Sequence, residues 1–104
     1  MSLVSVSELL NDSVVPEAKL LPIEAYGQSI ILYLSNNKLY AFAAKCPHGG
    51  TLLCEGYVDA KNCIVCPTHF YKFSLLTGRE ALGREYHLKT YKTFLEEGSW
   101  YVEV

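Results

Sequence analysis

Cys46-Pro47-His48-Gly49-Gly50-Thr51-Leu52-Leu53-Cys54-Glu55-Gly56 and, one short hairpin later, Cys66-Pro67-Thr68-His69 are the stretches on which the fold and chemistry of this 104-residue chain turn. Each supplies one thiolate and one imidazole, and seventeen residues separate His48 from Cys66. Two sulfur and two nitrogen donors suit either an iron-sulfur centre or zinc. The connecting segment predicts how the two stretches meet. If Lys61-Asn62 is a two-residue turn, Ala60 lies opposite Cys63, Asp59 opposite Ile64, Val58 opposite Val65 and Tyr57 opposite Cys66. The chain then goes out and comes back, so loops distant in sequence face one centre.

Outward from this segment the chain reads as short strands between turn signals. Strands are expected at Leu3 to Val6, Ala18 to Glu24, Ser29 to Ser35, Lys38 to Ala44, Tyr86 to Leu95 and Ser99 to Val104, with Ser7 capping one helical turn through Leu10. Tyr26-Gly27-Gln28 and Glu96-Glu97-Gly98 are read as turns, and Asn36-Asn37 as a two-residue hairpin whose asparagines accept positive φ. Half the residues are hydrophobic, 19% are charged, and eight tyrosines favour strands over helices. The length fits one domain over residues 1–104.

Several function classes fall away. A net charge of −2 without a basic cluster gives no footprint for nucleic acid. No stretch approaches membrane-spanning length, and Met1 to Glu8 lacks the basic start and apolar run of a signal peptide, so a cytoplasmic location is expected. In that compartment thiols stay reduced, and four cysteines accompanied by histidines read as metal ligands before disulfides. No nucleophile-base pair or phosphate loop is present, so no substrate turnover by the chain alone is expected.

The ligand residues leave an alternative open. Cys63-Ile64-Val65-Cys66, with Cys46 and Cys54, offers four thiolates for a structural zinc module. Against it, β-branched Ile64 and Val65 favour extension, which separates Cys63 from Cys66 by roughly 10 Å. Cys54 and Cys63 are then expected to be small buried hydrophobes. His87 is expected at the surface and Trp100 in the core.

Cys-x-His, a long gap and Cys-x-x-His, with Gly49-Gly50 and Glu55-Gly56 after the first cluster and an aromatic and Thr77-Gly78 after the second, resemble the Rieske family and its small soluble ferredoxins. The resemblance implies an all-β fold: an antiparallel β-sandwich with a cluster-binding subdomain of two opposed loops, about residues 45–78, inserted between the β halves. It implies one [2Fe-2S] cluster, with Cys46 and Cys66 on one iron and His48 and His69 on the other through Nδ1. It further implies a monomeric carrier of single electrons from a flavin reductase to an oxygenase or similar acceptor, docking near His48 and His69. A small subunit of a nitrite reductase-like enzyme is the alternative.

Two departures bear on tuning. Respiratory Rieske proteins bridge two further cysteines where Thr51 and Thr68 stand here, and they bond cluster sulfurs with a serine and a tyrosine where this chain has Tyr71 and Phe73. Fewer donors to sulfur imply a potential near the low end, about −150 mV, of a range reaching about +300 mV. Lys45 and Lys72 flank the loops and are candidates for raising the potential or steering an acidic partner. Phe70 replaces the glycine usual after the second histidine. If that backbone needs positive φ, a different loop path is expected; packing against the protein is the expected role of Phe70, with shielding of the cluster from water or an exposed docking contact beside His69 as the alternatives.

Overall fold

The computed structural model describes residues 3–10 and 14–104. Their elements are β1 (Leu3–Ser5), α1 (Val6–Leu9), β2 (Leu21–Ala25), β3 (Gln28–Ser35), β4 (Lys38–Ala43), β5 (Tyr57–Val58), β6 (Cys63–Val65), β7 (Lys72–Ser74), β8 (Thr90–Tyr91), β9 (Thr93–Glu96) and β10 (Ser99–Glu103). The strands pair antiparallel in three sheets, ordered β1-β10-β9, β2-β3-β4-β8 and β5-β6-β7. The all-β class expected from composition is the class observed.

The four-stranded sheet is the middle layer because β3 is apolar on both faces. Ile30 and Leu32 pack with Leu39, Ala41 and Val102 on one side, while Ile31 and Tyr33 join Phe42, Leu53, Phe73 and both Cys46 and Cys66 on the other. An unbroken apolar run such as Ile30-Ile31-Leu32 is what a strand covered on both faces requires. Full burial of each such side chain stabilises by roughly 1.5–3 kcal/mol.

Three hairpins use two-residue turns with positive φ at both positions: Tyr26-Gly27 (50° and 76°), Asn36-Asn37 (51° and 63°) and Glu97-Gly98 (50° and 80°). This geometry matches the right-handed twist of the flanking strands. The Asn36-Asn37 hairpin follows the sequence reading, and the other two are one residue tighter than read.

Four expectations are corrected. The strand expected from Ala18 starts at Leu21, because Ala18 sits at φ 56° and leaves the extended region. The strand expected over Tyr86 to Leu95 is two short strands in different sheets, and residues 79–88 form a loop held by an Arg79–His87 bridge. Ser7 does not cap α1: Ser5 occupies the N-cap position, and its Oγ lies 3.0 Å from the Ser7 Oγ.

The fourth correction moves the central hairpin by one residue. Tyr57 pairs with Val65 and Val58 with Ile64, so Asp59 closes a three-residue turn opposite Cys63. The cause is the Asp59 carboxylate, whose Oδ1 accepts the backbone N–H of Lys61 at 2.9 Å and of Cys63 at 3.0 Å, while Asn62 takes φ 58°. Side-chain acceptance of this kind competes with the two-residue turn. Cys66 therefore returns beside Gly56 rather than Tyr57. A Cβ on Gly56 would lie 2.0 Å from the Val65 carbonyl oxygen, so only glycine permits that approach.

Candidate metal centre

Cys46 follows β4, and Cys66 follows β6. Both cysteines open loops of the same construction. Gly50 N–H donates to the Cys46 carbonyl at 2.7 Å and Phe70 N–H to the Cys66 carbonyl at 2.9 Å. Each loop then closes with a cysteine N–H on a carbonyl five residues later, Cys46 to Thr51 and Cys66 to Tyr71, both at 2.8 Å. The fifth residue of each loop is left-handed: Gly50 has φ 78° and Phe70 has φ 59°.

The second loop therefore does not take a different path to accommodate phenylalanine. Phe70 adopts the glycine conformation and projects outward, 66% exposed, instead of packing as expected. A hydroxyl bridge joins the loops, because Thr51 Oγ1 and Thr68 Oγ1 lie 2.7 Å apart at the two positions where a disulfide is absent.

The loops bring the four sequence-predicted residues together as two pairs. The Cys46 and Cys66 thiols are buried in one cluster, close enough that each shifts the other. The rings of His48 and His69 meet edge-on with centroids 4.8 Å apart. His48 is half-buried and His69 exposed. Among the described residues, no three histidine, cysteine or acidic side chains converge on one ion position. Mononuclear zinc takes four ligands around a single point, whereas a diiron centre asks for one pair on each iron.

The sulfurs are also provided for electrostatically. Burial pushes the Cys46 thiol above its ordinary value, opposed by N–H donors from His48 and Gly49. At Cys66 burial pushes the same way, but N–H groups of Thr68 and His69, the Cys46 thiol and the Thr51 hydroxyl together hold it below the ordinary value. Such donors stabilise thiolate and any negative charge gathered at the sulfurs. The residues present fit the paired-iron group better than one zinc.

The other candidates separate from this centre. Cys54 lies in a 3-10 turn, Leu53–Glu55, and Cys63 on β6; both are free and half-buried rather than fully buried. Extended β6 keeps Cys63 and Cys66 from forming a bent Cys-x-x-Cys knuckle. Lys72 is 3.6 Å from Asp59, an ion pair that leaves it a poor candidate for tuning the centre. His87 is exposed, with Nε2 2.9 Å from the Thr77 carbonyl. Trp100 packs half-buried beneath the middle sheet.

Beside the centre, Arg84 and Tyr86 escaped the sequence reading, and Tyr71 was noted there only for standing where other proteins have serine. Tyr71 stacks on His48 at 4.1 Å with planes 22° apart, Tyr86 meets His48 edge-on at 5.2 Å, and Arg84 lies 4.2 Å over the Tyr71 ring. Tyr71 is thus an imidazole platform and not a longer stand-in for a serine. Only the loop at 79–88 brings Arg84 and Tyr86 here, and no spacing rule announces it. Beside His69, a groove of about 610 Å³ is lined by Cys63, Phe70, Lys61 and Leu82.

A family model described as Rieske [2Fe-2S] domain matches residues 5–92. The chain is similar to the 3-phenylpropionate/cinnamic acid dioxygenase ferredoxin subunit of Escherichia coli (strain K12), with 31% identity over 91 residues, 86% of this chain and 85% of that protein. It superposes on a chain from a complex of reduced oxygenase and oxidized ferredoxin in carbazole 1,9a-dioxygenase with a TM-score of 0.75 and 27% identity, covering 88% of this chain and 94% of that one. A protein assigned as the small subunit of an NADPH nitrite reductase shares the fold, with a TM-score of 0.82 and 19% identity over all of both chains.

Proposed function

From the premise that this chain belongs to the Rieske [2Fe-2S] domain family, as a match over residues 5–92 shows, we propose that Cys46 and Cys66 hold one iron of its cluster and His48 and His69 the other. The pairing of the two thiols with each other and of the two imidazoles with each other carries this assignment. When bound, the cluster supplies a reversible one-electron couple, raised by exchanging two thiolates for neutral imidazoles.

The chain's own residues do the rest. Backbone N–H groups from both loops and the Thr51 hydroxyl bear on the sulfurs, where added charge is stabilised. Buried Phe42, Leu53 and Phe73 keep water from the sulfur side. His69 stands at the exposed edge, where a partner can approach closely. Electron transfer is the activity of the family, and the chain carries electrons rather than turning over a substrate.

The acceptor favoured is an oxygenase and the donor a flavin reductase, because relatives alike over most of both chains are named as dioxygenase ferredoxins. Exposed Phe70 and Leu82 beside His69 give that docking face an apolar element. Residues 1–104 are read as one domain of a cytoplasmic carrier. Among the described residues no helix is long and apolar enough to cross a membrane.

The test is direct. Purified protein is expected to be brown-red, to contain iron and sulfide in equal amounts, to bleach with dithionite and to give a reduced-state EPR signal. His48→Ala and His69→Ala are expected to lose the cluster or its mixed-ligand spectrum, whereas Cys54→Ser and Cys63→Ser keep both. A colourless protein holding one zinc would overturn the assignment. A free carrier elutes alone and exchanges electrons with a reductase in a salt-sensitive way; stable co-elution with a large redox enzyme would identify a bound subunit instead.

A further inference from the structure

The two imidazoles have unlike surroundings. His48 is covered by Tyr71 at 4.1 Å and Tyr86 at 5.2 Å, whereas the one aromatic ring recorded against His69, among the described residues, is His48 itself. Behind Tyr71 stands Arg84, 4.2 Å from the ring, and behind Arg84 stands Glu80, with Nη1 to Oε2 at 3.5 Å. The Glu80 side chain is only 1% exposed. Its Oε1 accepts the N–H of Leu82 at 3.1 Å and of Arg84 at 2.8 Å, which folds residues 80–84 into a tight turn. Ala81 N–H donates to the Lys72 carbonyl at 2.8 Å, tying that turn to β7 directly after Tyr71.

A carboxylate this buried is costly to place unless its partners use it fully. Here they do so in one direction. Glu80 fixes the backbone and guanidinium of Arg84, Arg84 presses its planar cation on Tyr71, and Tyr71 presents its face to His48. Each step is a geometry the groups favour: an ion pair, a cation over an aromatic face, and a ring stack.

We propose that Glu80, Arg84 and Tyr71 form a positioning stack that fixes the ring plane of His48 and covers it together with Tyr86, leaving His69 as the open imidazole. The proposal rests on the reading of His48 and His69 as ligands. An imidazole clamped from outside keeps its orientation when charge on the centre changes, which is the role of groups standing behind metal ligands. The two nitrogen ligands are therefore inequivalent by construction.

Protein labelled with ¹⁵N-histidine, reduced and measured by pulsed EPR, tests this alongside the midpoint potential. The wild type is expected to show two distinct nitrogen couplings. Tyr71→Phe keeps the ring and is expected to match the wild type. Tyr71→Leu is expected to shift one coupling and leave the other, with a changed potential. Glu80→Gln and Arg84→Lys are expected to shift the same coupling by less. Both residues lie outside the two sulfur-bearing loops in sequence, so the comparison survives if Tyr71→Leu fails to assemble. Loaded Tyr71→Leu, Glu80→Gln and Arg84→Lys variants whose couplings all equal the wild type would overturn the stack, and so would equal movement of both couplings. Absence of any nitrogen coupling in the wild type would overturn the ligand reading instead, and the two failures are distinguishable.

Discussion

Phe70 spends free energy on its position. Its φ of 59° is where an L-residue with a bulky side chain meets its own backbone, and the matching place in the first loop is Gly50. Being 66% exposed, the ring recovers little by burial. Phe70→Gly is therefore expected to raise stability by about 1 kcal/mol, read as a rise in Tm of roughly 4–8 °C with the cluster retained. If the same variant slows electron exchange with a reductase or oxygenase, the strain is retained for docking. Phe73 is the opposite case, fully buried among the side chains that surround Cys46 and Cys66. Phe73→Tyr brings a hydroxyl donor into that neighbourhood and is expected to lift the midpoint potential above the roughly −150 mV end of the Rieske range. A lower Tm with no change in potential would mean that the phenol finds no sulfur. The meeting of Cys46 with Cys66 and of His48 with His69 was legible in the sequence because ligand chemistry restricts residue type and spacing together. The stacking of Tyr71, Arg84 and Tyr86 was not, since ring stacking accepts many spacings and depends on where a loop without periodicity returns.

At the scale of elements, the hairpin β5-β6 shows how one side chain sets a register. Apolar pattern and turn residues predicted the hairpin itself, and the error of one residue came from the Asp59 carboxylate, whose two bonds to backbone N–H groups favour a three-residue turn. Sequence patterns carry burial well and side-chain capture of a turn poorly. Asp59→Ala is expected to cost about 1–2 kcal/mol by removing those bonds. Its pH dependence has a definite sign. Desolvation is the largest single influence and raises the Asp59 pKa, but the N–H groups of Cys63 and Lys61 and the ammonium of Lys72 together outweigh it, so the folded carboxyl titrates below its ordinary value. A lowered folded pKa means that the contribution is complete above about pH 4, the unfolded value, and is lost as pH falls through the folded one. Thermal melts of wild type and Asp59→Ala are thus expected to differ near pH 7 and to converge in acid. A constant gap would show that the carboxyl's charge has no part in holding the turn.

Across the whole molecule, the middle sheet stands between two unlike layers. On one face Ile30, Leu32, Leu39, Ala41 and Val102 make a purely apolar core with β10 and α1, while on the other Ile31 and Phe42 share theirs with the loops that carry Cys46 and Cys66. Apolar runs and turn residues made the three hairpins of these outer and middle sheets readable, whereas the layer order was not, because it depends on which face each buried residue of β3 serves. Metal dependence follows from the layering. Energy from binding metal accrues to the segments that ligands join, here the two loops bridged by Thr51 and Thr68, and not to the first core, which reaches none of the four proposed ligands. Stripping iron in acid with a chelator, then returning to neutral pH, is expected to leave the β-type far-ultraviolet spectrum largely intact. Amide protection is expected to collapse at Cys46, Gly50, Cys66 and Phe70, whose N–H bonds close the loops, while Ile30 to Leu32 stay protected. Loss of protection in β3 together with the loops would mean that the metal centre stabilises the entire chain as one cooperative unit and that the layers are not separable.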